Sequence, residues 1–181
     1  SDATASDGVY SASWTVPTGA YEYFLTTGTD TVTGAADVLN VKAGIIVDNI
    51  NSGADYVGKW WPSIYRPGFY GSNYRYATEA DPEKLFTWAP LLNEAGYHRV
   101  YARWPDGPNF ASNAQFRVHH QSTEDGTALM SSITVNQTTN GNQWRDLGVY
   151  WFGAGLNAIE LTNAGANGTV VADAIMLVPQ I

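Results

Sequence analysis

The chain has 181 residues, enough to fill one domain but short for two independent cores. Aromatic residues make up 13% of it and charged residues only 14%, so contact with water falls largely on Asn, Thr, Ser, Gly and Tyr, groups that bind hydroxyl-rich partners without the desolvation cost of full charges. Seventeen acidic against nine basic residues give a net charge of -8, which repels nucleic acid and anionic membrane surfaces and speaks against both as partners.

In chain order, the opening Ser1-Asp2-Ala3-Thr4-Ala5-Ser6-Asp7-Gly8 reads as a linker, as expected of a module excised from a larger chain. Residues 9–16 alternate, with Tyr10, Ala12, Trp14 and Val16 on one side, which predicts a half-buried strand. Runs at 21–27 and 37–41 follow, so residues 1–44 are expected to be linker and accessory N-terminal strands packed on a main domain of residues 45–181. From Ile45 onward, strands are predicted at 45–47, 85–89, 97–104, 115–120, 132–135, 148–152, 158–162 and 169–178, with one helical turn near 80–84. Eight strands, 18 glycines and no fixed repeat predict an all-β antiparallel sandwich or jelly roll rather than a propeller or solenoid.

Period-two reading of residues 97–104 puts His98, Val100, Ala102 and Trp104 on one face and Tyr97, Arg99, Tyr101 and Arg103 on the other. Residues 115–120 repeat the arrangement, with Phe116 and Val118 inward and Gln115, Arg117 and His119 outward. If the two strands are neighbours, tyrosines and arginines share a surface that stacks on sugar rings and pairs with carboxylates; the alternative is an ordinary solvated face. A loop from Trp60 to Tyr76 is denser in aromatics. Alternation turns one of Trp60 and Trp61 inward and one outward, and Tyr70, Tyr74 and Arg75 join them as candidates for binding. Trp104 ahead of Pro105-Asp106-Gly107-Pro108, Asn113 beside it, and Trp144 after an Asn-Gly turn complete the set, whereas Phe86 and Trp88 read as core.

Asp173 stands in an apolar strand and is expected to be buried and paired, with Arg75, with backbone amides, or through a calcium ion shared with Asp48. A structural hydrogen bond is the simpler reading, because no EF-hand-like spacing supplies the several oxygens that calcium needs. No phosphate loop, zinc motif or nucleophile elbow is present, and His119 and His120 fall on opposite faces of a strand, so no enzyme is expected. The catalytic alternatives are a glycosidase built on two of the glutamates, or a polysaccharide lyase using one His or Tyr with an arginine that neutralises a uronate.

Several ordered pieces carry a resemblance: Ile46-Val47-Asp48-Asn49, Gly58-Lys59-Trp60, Gly68-Phe69-Tyr70-Gly71-Ser72-Asn73-Tyr74-Arg75-Tyr76-Ala77, Thr87-Trp88, Gly96-Tyr97, Val100-Tyr101-Ala102-Arg103-Trp104-Pro105, Ser112-Asn113-Ala114, Val118-His119-His120, Val135-Asn136-Gln137, Gln143-Trp144, Leu147-Gly148 and Val171-Ala172-Asp173-Ala174. Residues 45–179 thereby resemble the golvesin and xanthan-lyase carbohydrate-binding-domain family; the first 44 residues do not. The resemblance implies a galactose-binding-like sandwich in a secreted, extracellular bacterial enzyme: a non-catalytic, monomeric module that needs no cofactor and binds a polysaccharide beside an attached catalytic domain. Xanthan, whose side chains carry glucuronate and pyruvate, would give the arginines a purpose. A structural spacer or adhesion domain is the further alternative.

Overall fold

The computed structural model describes residues 44–78 and 83–180. The strands predicted at 9–16, 21–27 and 37–41 lie outside these residues, as does most of the helical turn predicted at 80–84. Every regular element among the described residues is a strand: β1 Ile45–Asp48, β2 Ala54–Val57, β3 Trp61–Ser63, β4 Tyr74–Ala77, β5 Leu85–Trp88, β6 Leu91–Leu92, β7 Gly96–Arg103, β8 Ala114–Gln121, β9 Ala128–Val135, β10 Arg145–Phe152, β11 Gly155–Leu156, β12 Ala158–Thr162, β13 Val170–Ala172 and β14 Ala174–Pro179.

Alternation builds the two main layers. In β7, His98, Val100 and Ala102 are buried between half-exposed Arg99, Tyr101 and Arg103, and β8 buries Ala114, Phe116 and Val118 in the same way. A front sheet of order β1-β14-β7-β10 therefore faces a back sheet of order β2-β5-β12-β8-β9, and all their pairings are antiparallel. Val100, Ile175 and Leu177 of the front meet Phe86, Trp88, Phe116, Ile159 and Leu161 of the back in one core cluster. Each such side chain contributes about 1.5–3 kcal/mol over its exposed state. A row of rings links them: Trp60 meets Phe86 edge-on at 5.3 Å, Phe86 lies 4.7 Å from Trp88, and Trp88 stacks on Phe116 at 6.0 Å. The fold is thus the expected all-β antiparallel sandwich of jelly-roll type.

Three local expectations change. The segment from Trp60 to Tyr76 is not all loop: β3 and β4 pair as Trp61↔Tyr76, Pro62↔Arg75 and Ser63↔Tyr74, leaving 64–73 as the connection. β9 and β10 begin at Ala128 and Arg145, earlier than predicted. The strand predicted at 169–178 breaks at Asp173, whose carbonyl accepts the Trp88 indole N–H at 3.2 Å. Before the break β13 pairs with β4; after it β14 pairs with β1 and β7, so the chain changes sheets there. The fully buried amide of Gln137 covers β13 as a further strand would, donating to Val171 O at 2.8 Å and accepting from Val171 N at 2.9 Å.

Candidate functional site

The break at Asp173 opens one end of the sandwich, and the 64–73 connection folds over it. Asp173 is 1% exposed and accepts the Tyr70 N–H on both carboxylate oxygens, at 3.1 and 3.0 Å. Burial pushes its carboxyl up to about 8, the nearby Asp48 adds to the rise, and the Tyr70 amide and Arg103 oppose it. Asp48 is buried as well, which raises its own pKa against the Asn49 N–H that it accepts at 2.8 Å. Glycine is required twice in the connection. Gly68 and Gly71 hold φ of 93° and 64°, and a Cβ would strike the Asn142 side chain at the first and the Asp48 carboxylate at the second.

Held in this way, Tyr70 leans on Trp144, ring centroids 5.6 Å apart and planes at 52°, with Tyr70 36% exposed. The Arg103 Nε donates to Gly68 O at 3.0 Å. Asn142 adopts a positive φ of 63°, its N–H donates to Trp104 O at 2.7 Å, and its side chain donates to Asp106 Oδ1 at 3.3 Å. Arg66 rests against Tyr65 at 5.5 Å. Two inclined rings, with the Arg103 guanidinium bonded to the connection that carries one of them, supply groups that can stack a sugar ring and donate to its hydroxyls or carboxylate.

Of the sequence candidates, Tyr70, Arg103 and Trp144 come together here. Trp60, Tyr74 and Trp104 do not serve as platforms: they are only 2–3% exposed and belong to the core, so they have no ring face to lend a ligand. Tyr74 also accepts hydrogen bonds from Ser63 Oγ at 3.0 Å and Arg66 N at 3.3 Å. Trp61 is the outward member of its pair, 43% exposed, under Lys59 Nζ at 3.9 Å. Arg75 does not pair with Asp173; it donates to Trp60 O at 3.2 Å and lies 4.7 Å over the Tyr56 ring. Asn113 staples two loops, donating to Gly165 O at 2.9 Å and accepting from Asn167 N at 2.8 Å.

The proposed Tyr-Arg surface shared by 97–104 and 115–120 does not exist, because β7 and β8 lie in opposite sheets. Tyr101 and Arg103 face outward from the front sheet, whereas Arg117 faces outward from the back, 3.5 Å from Glu83. Asp106 and Asn142, which bond to each other beside Gly68, lay outside the sequence candidates, although Pro105-Asp106-Gly107 and Asn140-Gly141-Asn142 carry the turn chemistry that places them. Asp48 and Asp173 stand as a pair, since no group of three or more His, Cys, Asp or Glu side chains gathers among the described residues.

The family model of the Golvesin C-terminal domain matches residues 45–179. A xanthan lyase of Bacillus sp. (strain GL1) is 34% identical over 140 residues, which cover 74% of this chain and 14% of that protein. The solved structure of a Paenibacillus xanthan lyase matches with a TM-score of 0.70 and 32% identity, over 78% of this chain and 13% of that one. A family 35 carbohydrate-binding module from Clostridium thermocellum matches with a TM-score of 0.56 over 77% of this chain and 100% of its own, at 16% identity, a likeness of fold. The chain thus spans a small part of the lyases that it resembles and the whole of a carbohydrate-binding module.

Proposed function

The chain belongs to the Golvesin C-terminal domain family, and from that premise we propose that it is a non-catalytic carbohydrate-binding module holding an acidic polysaccharide, such as xanthan through its side chains. The observation that carries this reading is the Tyr70–Trp144 ring pair, with Arg103 hydrogen-bonded to the same connection that positions Tyr70. The rings take the apolar face of a sugar, and the guanidinium groups favour ligands that bear carboxylates despite the net charge of -8, because that charge is screened beyond about 8–10 Å. In a secreted bacterial enzyme the module would raise the local concentration of an attached catalytic domain on its polymer.

Titration calorimetry of the chain against xanthan, xanthan stripped of its side chains, and cellulose tests this. Binding is expected to intact xanthan, to weaken on stripping and to weaken with salt; no binding to any of the three overturns the reading. The same preparation is expected to release no unsaturated uronate, and its release would make the chain a lyase instead.

A further inference from the structure

The two outer faces of the sandwich differ in chemistry. Outward positions of the back sheet carry Thr87, Arg117, His119, Ser132, Thr134 and Glu160, with apolar Val57 and Met130 on its two edge strands, and His119 pairs with Glu160 at 2.8 Å. The front sheet groups apolar side chains around one ion pair. One row across it runs Ile46, Met176, Tyr101 and Asp146; the next runs Val178, Arg99 and Val149, with Arg99 paired to Asp146 at 2.6 Å, and Tyr97 meets Trp151 beyond them. Apolar side chains grouped on the outside of a sheet mark a surface that something covers.

β14 shows where the cover lies. Its inward residues Ile175 and Leu177 belong to the core cluster. Met176 and Val178 point the opposite way and stand outside that cluster, yet they are only 5% and 7% exposed, so this strand is buried on both sides whereas β7 beside it alternates. The polypeptide enters β1 through Gly44 on this same side: a Cβ there would lie 3.5 Å from both Met176 Cγ and Val178 Cγ2. Forty-three residues precede Gly44, and among them Tyr10, Ala12, Trp14 and Val16 recur at every second position, the sequence pattern expected of a strand with one apolar face.

We infer that the outer face of the front sheet, centred on Met176, Val178 and Tyr101, is the docking surface for residues 1–43 of the same chain. The segment and the sandwich then form one unit, and the family boundary at residue 45 does not mark the edge of the folded domain.

The test uses the full 181-residue chain with the photo-crosslinker p-benzoylphenylalanine in place of Tyr101 on the front face or His119 on the back. After irradiation, the cross-linked peptides are mapped by mass spectrometry. From position 101 the expected product is a monomer joined to a peptide within residues 1–43, at a yield at least tenfold above that from position 119. Cross-links joining two chains, no product reaching residues 1–43, or equal yield from the two faces overturns the inference. If the variant at 101 loses its cooperative melt, the probe moves to Ile46 in the same row and the same outcomes apply. Polysaccharide binding plays no part in the readout, so failure here and failure of the proposed function are distinguishable.

Discussion

Trp104 and Trp144 are the same side chain in two different settings. Trp104 follows β7 in the inward phase of His98, Val100 and Ala102, is 2% exposed and lies 6.3 Å from Phe116 in the core. Trp144 sits one residue before β10, outside the strand pairing, and meets Tyr70 of the 64–73 connection. Ring content therefore does not decide which aromatics are buried; position relative to the strand phase does. Among the described aromatics, one row holds the sheets together and one pair sits at the open end.

Truncating one ring of each kind is the hardest test of that division. Trp104→Ala is expected to cost about 3–5 kcal/mol in urea denaturation, because it leaves a cavity between the sheets. Its indole N–H meets no acceptor among the described residues, so Trp104→Phe should lose much less. Trp144→Ala should change stability by less than about 0.5 kcal/mol. Equal losses from the two alanine variants would erase the distinction.

The bed under the ring pair should respond to pH. Asp173 titrates near 8 in the folded protein against 3.8 as its ordinary value. Between those values the native state holds a proton that the unfolded chain has released, so stability is fully present below pH 4 and falls as pH rises to about 8, with a slope approaching about 1.4 kcal/mol per unit. The raised pKa of Asp48 acts in the same direction. Asp173→Asn keeps an acceptor for the Tyr70 N–H without the charge, so its melting temperature should be flatter across this window and above that of the unchanged chain at pH 9. Calcium should leave both curves in place; a calcium-dependent rise in the unchanged chain alone would mean that an ion, not a proton, neutralises the pair.

The layers were legible in the sequence because alternation is local: β7 and β8 bury the side chains that period two assigns to them, Phe86 and Trp88 are core, and Trp60 and Trp61 split inward and outward. What failed was non-local. Alternation says which residues share a face of one strand but not which strand lies alongside, so Arg103 and Arg117 were joined on one surface although opposite sheets carry them. Nor does spacing reveal that a buried carboxyl will break a strand at Asp173, or that short β3 and β4 will remove Tyr74 and Arg75 from a loop. Of the candidate site, the sequence offered Tyr70, Arg103 and Trp144, which the fold brings together, while Asn142 and Asp106 join through turns whose partners lie 36 residues apart.

Binding should separate the same two rings in reverse. Trp144→Ala is expected to lose more than about 1 kcal/mol of affinity for xanthan, roughly fivefold in dissociation constant, with its melting curve intact. Tyr70→Ala should lose a similar amount, and the double variant less than the sum, because each ring supports the other. Unchanged affinity in both would move the ligand away from this end of the sandwich.

The smallest expected effect is the most discriminating. Arg117 lies on the polar back face, 3.5 Å from a Glu83 that is itself 60% exposed, an arrangement that contributes well under about 1 kcal/mol. Arg117→Ala should therefore leave both the melting curve and xanthan affinity near their starting values. Arg103→Ala removes a hydrogen bond to Gly68 O and a cation beside the ring pair, so affinity should fall. The two arginines are matched in charge and in half-exposure and differ in which sheet carries them. Loss of binding from Arg117→Ala equal to that from Arg103→Ala would put the ligand on a flat sheet face and deny the open end its role.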